Sequence, residues 1–230
     1  MADLADAAGR AVAVPLAALT RARRAKPMHP RGVLFHALLE RRSLGMGAAW
    51  LDGTGTDDVL VRLSRGAGLP PRCPDLLGFA LRVPGERPVD LLLSSTGSGR
   101  WTRRVPVPRR DAATTYGSIM AYRSSAGPVW LAADPQSTGL PSDRAALAPA
   151  GPGTVVVLSA AVGRGPWTSF ATVTLRAATD PLDPPVHFDA VLHAPPGLAA
   201  DGPLARFRRP SYAAARAAQG ADLDSGPLRP

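Results

Sequence analysis

What most constrains this chain is a succession of short apolar runs, broken by glycine and proline, with no helix-period segment between them. The runs fall at residues 33–39, 58–64, 76–83, 89–93, 118–123, 128–132, 154–162, 169–176 and 186–192. The clearest is Asp58-Val-Leu-Val-Arg-Leu-Ser64, which alternates with period two, as a half-buried strand does. Val61 and Leu63 then share one face, and Arg62 and Ser64 the other. About eight strands in sequence, without crossover helices, predict a mainly β fold: an antiparallel barrel or sandwich. The 23 glycines and 25 prolines supply the turns. With only 5% aromatic residues, alanine, valine and leucine must fill most of the core.

Helices are expected only at the flanks. Residues 2–24 are alanine-rich, acidic first (Asp3, Asp6) and basic last (Arg21, Arg23, Arg24), a polarity that suits the helix dipole. Pro15 should kink or divide that helix. Residues 204–219 read as a second helix, closed by Gly220. The expected organisation is therefore an N-terminal helical segment (1–25), a barrel domain with its C-terminal helix (26–220) and a tail (221–230). Residues 98–115 and 134–153, rich in proline and small residues, read as surface loops.

At 230 residues the chain can bury one full core. Its net charge of +9 is nearly all arginine and is scattered, which permits attraction to anions. The one cysteine, Cys73, cannot form a disulfide within the chain, and this favours a reducing compartment. The expectation is a cytoplasmic protein with no membrane span. No His-Glu-x-x-His or Cys-x-x-Cys spacing points to a protein-bound zinc, and no G-x-S-x-G elbow points to an α/β hydrolase.

The segment Lys26-Pro-Met-His-Pro-Arg-Gly32 sets one imidazole, His29, between two prolines at the mouth of the first strand. Proline removes a donor and fixes φ, so the segment is extended rather than helical. Further on stand Val61-Arg62-Leu63-Ser64, then Gly78-Phe79-Ala80, then Asp90-Leu91, and finally Arg208-Arg-Pro-Ser-Tyr212 on the predicted terminal helix. In this order the motifs resemble the haem-dependent catalase-like superfamily, closely over 26–96 and again over 204–216.

The resemblance implies a catalase-like antiparallel barrel of about eight strands, flanked by an N-terminal and a C-terminal helix. It implies haem b as cofactor and a small hydroperoxide, hydrogen peroxide or an organic or lipid one, as substrate. His29 would be the acid/base on one side of the ring and Ser64 would fix its orientation. Tyr212 would bind the metal as tyrosinate, with Arg208 one helical turn away to lower its pKa. Arg62 and Lys26 would neutralise propionates, and Met28 would lie over the ring. The position of the family's amide donor holds Ser94 or Ser95, and Ser95 is the expected site residue. A serine donates with a shorter reach than an asparagine, and the chain is much shorter than a full catalase. A peroxidase-like reaction is therefore expected over catalase turnover, in a chain that could form a homodimer.

Two other classes remain open on the residues. A haem-free barrel could be a phosphodiesterase-type hydrolase that binds phosphate with Arg62, Arg82, Arg100, Arg103 and Arg104 and uses His29 as base. It could also be an anion-binding module, since residues 100–110 mix arginines with Trp101. No recognised RNA or DNA motif is present, so no specific nucleic acid is expected.

Overall fold

Period-two alternation sends Val33, Phe35, Ala37 and Leu39 to one face of the first strand, where each is at most 1% exposed. Val59, Val61 and Leu63 do the same on the second strand, and Leu77, Phe79 and Leu81 on the third. These faces close on one another to make the core. The computed structural model describes His29 and residues 31–200. The helices expected over 2–24 and 204–219 lie outside the described residues, and so do Lys26, Met28, Arg208 and Tyr212.

The strands are β1 (Arg31–Arg41), β2 (Gly55–Arg65), β3 (Leu77–Val83), β4 (Val89–Ser95), β5 (Tyr116–Gly117), β6 (Tyr122–Ser124), β7 (Gly127–Pro135), β8 (Val155–Val162) and β9 (Thr168–Ala178). Every pairing is antiparallel, in the order β5-β4-β3-β2-β1-β9-β8-β7, and β7 pairs back onto β5. Eight strands thus close a barrel, and β6 extends the pairing along the same edge of β7. Of the strand expected over 118–123 only residues 122–123 are strand, and a further two-residue strand lies just before it. Ile119 sits at φ 61°, in the left-handed region that ends a strand.

Closure also explains why residues 186–192 form no strand. A closed barrel offers no free edge, and both edges of β1 are already taken by β2 and β9. The segment instead turns on Asp189, whose Oδ1 accepts from the main-chain N–H groups of Val191 and Leu192. Two short helices were not legible. Helix α1 (Ala49–Asp52) buries Trp50 against Phe170, with ring centroids 5.2 Å apart. Helix α2 (Arg144–Ala150) lies inside the expected 134–153 loop. Its cap is Asp143, which accepts from the N–H groups of Ala145 and Ala146, and it buries Leu147. Pro149, inside the helix, hid it from a pattern reading.

Two large buried polar side chains are tied to main-chain acceptors. Tyr116 is fully covered and donates its hydroxyl to Ala112 O at 2.9 Å. Burial, and secondarily the charge of Asp111, pushes its pKa up, so it remains a phenol. Near the barrel mouth Arg65 donates to the carbonyls of Leu69, Pro70 and Cys73 and to Ser142 Oγ. It thereby pins the 66–76 loop that leads into β3.

Candidate active site

The register places one row of small residues on the outer wall of the barrel. Gly32 faces Ser64, Ser64 faces Gly78, Gly78 faces Ser94 and Ser94 faces Gly117. Directly opposed residues point to the same side of a sheet, so Ser64 and Ser94 share this outer face. His29 lies on it. A Cβ added to Gly78 would stand 2.5 Å from His29 Cε1 and 2.6 Å from Nδ1, so the imidazole rests on the bare backbone of β3. Ser64 Oγ is hydrogen-bonded to His29 Nδ1 at 2.9 Å. The sequence had placed His29 and Ser64 together, and the fold brings them into contact.

The backbone of His29 is held as firmly as its ring. Its N–H donates to Gly66 O at 2.8 Å. Its carbonyl accepts from Arg62 Nη2 at 3.0 Å. Its φ is 56°, a left-handed conformation that costs a non-glycine residue roughly 1–2 kcal/mol. The surrounding bonds therefore hold the histidine against its local preference, which is the usual signature of an imposed orientation.

Arg62 has a second partner. Its Nε and Nη2 form a fork on the Asp183 carboxylate at 2.7 and 2.8 Å, and the Arg62 side chain is only 6% exposed. Gly32 N–H donates to the same carboxylate at 2.9 Å. Gly32 is needed here, because a Cβ on it would meet Arg62 Cζ at 2.8 Å. Asp58, a carboxylate on the same strand as Arg62, pairs with Arg176 at 2.8 Å on the exposed surface. Asp183 was missed. It lies 121 residues from Arg62, and the only hint was that a buried strand arginine calls for a carboxylate.

Ser95 is not brought to His29. It is fully buried and faces the barrel interior. Its hydroxyl accepts from Leu77 N–H at 3.0 Å and donates to Val107 O at 2.7 Å. A shift of one residue along a strand reverses the face, and so Ser94, not Ser95, lies in line with Ser64.

A second polar cluster occupies the same wall further along β3 and β4. Asp90, fully buried, accepts two bonds from Arg82 at 2.7 and 2.6 Å and one from Asp189 N–H at 2.8 Å. His193 Nδ1 lies 2.9 Å from the same carboxylate. Arg82 also stacks on Phe188, with its Cζ 5.1 Å from the ring centroid. These contacts dock the 186–193 segment on the wall, with His193 as a structural partner of Asp90. His36, by contrast, is exposed. The five arginines grouped as a phosphate site do not converge. Arg62 and Arg82 are each committed to a carboxylate, and Arg103 is covered by Trp167.

A cleft of about 670 Å³ opens beside Ser64. Val33, Leu63, Leu69 and Leu147 are among its apolar lining, and Arg31 and Arg144 are among its polar lining. Among the described residues no group of three or more His, Cys, Asp or Glu side chains could hold a metal ion. No helix among them is long and apolar enough to cross a membrane.

The Gly78 cradle yields a direct check. Gly78→Ala is expected to push the imidazole off the wall and break the Ser64 contact, with a stability loss of about 1–3 kcal/mol for the overpacking. The readout is the His29 ring resonance by NMR, which should move in Gly78→Ala and in Ser64→Ala alike. An unchanged resonance in both would mean the contact does not set the ring's environment.

No protein-family model matches the chain, and no curated protein matches its sequence. Solved structures do match in fold. Catalase A from Saccharomyces cerevisiae is 14% identical with a TM-score of 0.59, over 86% of this chain and 63% of that one. A fungal catalase is 13% identical with a TM-score of 0.60, over 86% of this chain and 61% of that one. A bacterial catalase is 14% identical with a TM-score of 0.52, over 88% and 59%. The chain has a divergent catalase-like fold, and it spans about three-fifths of the length of these proteins.

Proposed function

We propose that this chain is a haem-dependent protein that reacts with organic hydroperoxides, with His29 as the residue that moves the proton. The observation that carries the reading is the imidazole held against Gly78, with Nδ1 engaged by Ser64 and the backbone fixed in a left-handed turn. Catalase-like neighbours supply the fold-level context. The described residues fit the proton-handling side of a haem. At Arg62 they do not fit a propionate, because Asp183 already fills the fork that a second carboxylate would need.

In this reading Tyr212 would bind the iron, Arg208 would keep its phenol ionised, and Lys26 and Met28 would lie at the ring. When bound, the haem supplies a redox-active iron at which an O–O bond is cleaved. The chain's own part is proton transfer. With Nδ1 engaged by Ser64, the imidazole would take the hydroperoxide proton and return it to the leaving oxygen. Arg62 acts on His29 through its carbonyl rather than on the cofactor. Ser94 replaces Ser95 as the second hydroxyl on this face. The apolar cleft beside Ser64, with Arg31 and Arg144 in its lining, favours an organic hydroperoxide with an anionic end over hydrogen peroxide.

The test is a haemin titration followed by the Soret band. Wild type should take up haem, and Tyr212→Phe should lose the band. A wild-type protein that takes up no haem would end the reading.

A further inference from the structure

Away from His29, three of the four tryptophans are each stacked with an arginine. Arg103 Cζ lies 4.4 Å from the Trp167 ring centroid, Arg104 Cζ 4.5 Å from Trp130, and Arg164 Cζ 4.4 Å from Trp101. The stacks belong to one corner, where the loop around the short 3-10 turn Thr102–Arg104 packs against the β8–β9 turn. Trp167 Nε1 donates to Ser98 O at 2.8 Å, and Arg103 Nη2 donates to Gly165 O at 3.0 Å. Gly99 N–H donates to Thr102 Oγ1, so the loop is tied within itself as well.

The corner carries charge that has no counter-ion among the described residues. Among the described residues no carboxylate pairs with Arg100, Arg103, Arg104 or Arg164. Arg103 is 2% exposed, and its Nε and Nη1 have no hydrogen-bond partner among the described residues. Burial, then the charges of Arg104 and Arg100, pushes its pKa down, as expected where cations crowd without an anion. Arg100, Arg104 and Arg164 are exposed around it. Trp101 is 62% exposed with Arg164 against one face, which leaves indole surface open to a ligand.

An excess of fixed cations calls for a polyanion. An exposed indole among them calls for a polyanion that also carries flat rings, and only an unpaired base can stack on it. We infer that the Trp101–Arg164 corner, with Arg100 and Arg104, is a binding surface for single-stranded nucleic acid. The arginines contact phosphates and Trp101 stacks on a base, without reading sequence. This surface is independent of the haem reading, because none of its residues belongs to the His29 site.

The experiment is the fluorescence anisotropy of a labelled oligo-dT with the full chain, across a salt series. Binding should weaken with salt with a log–log slope of roughly −2, the value for three phosphate contacts on a single strand. Trp101→Ala, which removes an exposed side chain, should weaken binding by about 5- to 150-fold, the range of one base–aromatic stack. Inorganic polyphosphate of matched charge and a duplex of the same length should both compete poorly. Absence of oligo-dT binding at low salt would overturn the inference. So would wild-type affinity in a Trp101→Ala protein that keeps its circular dichroism, or equal binding of polyphosphate or duplex.

Discussion

Haem-loaded His29→Ala is expected to react with an organic hydroperoxide about 10²–10⁴ times more slowly than wild type, the usual contribution of a positioned general acid/base. The ring sits on Gly78 and is tied by Ser64 rather than packed in the core, so the variant should fold and load cofactor as wild type does. That separates a loss of proton transfer from a loss of structure. Ser64→Ala should fall between the two, because the imidazole is kept but can rotate and change tautomer. Its pH–rate profile should broaden or shift, which a purely structural defect would not produce. Stopped-flow mixing of the loaded proteins with cumene hydroperoxide reads both effects. A His29→Ala rate within a factor of about three of wild type would remove the histidine from the chemistry.

Asp90→Ala should be the most damaging structural change. This carboxylate is fully buried and accepts from Arg82, from the Asp189 N–H and, in the appropriate tautomer, from His193. Its removal leaves a mostly covered guanidinium and a buried N–H without their acceptor. Losing one partner of a buried ion pair costs about 3–5 kcal/mol. For a domain of this size that lowers Tm by roughly 6–20 °C. Thermal unfolding followed by circular dichroism measures it. The 186–193 segment should open first, seen as early loss of amide exchange protection at Asp189, whose N–H is bonded to Asp90. A Tm within about 2 °C of wild type would mean that the cluster is already solvated.

These effects show where the pattern of residues was informative. The strands announced themselves because a half-buried strand alternates, and residues 58–64 do so at every position but Leu60. Nine such runs with no crossover helices leave an antiparallel barrel as a natural closure. His29 and Ser64 were legible together because each lies in a short ordered motif, and the β1–β2 register then places Ser64 opposite Gly32.

Contacts between distant segments were not legible in this way. Asp183 reaches Arg62 across 121 residues and Asp189 reaches Asp90 across 99, and no local spacing encodes either pairing. The choice between Ser94 and Ser95 turned on strand parity, which only the β3–β4 pairing establishes. The nine strand-like runs did not say that the last would remain unpaired; closure of the barrel decided that, because no free edge was left to receive it. Alternation, turn chemistry and motif order are properties of neighbouring residues and can be read along the chain. Which carboxylate meets which guanidinium, and which side of a strand faces the wall, depends on how separate strands are brought together, and that is decided in three dimensions.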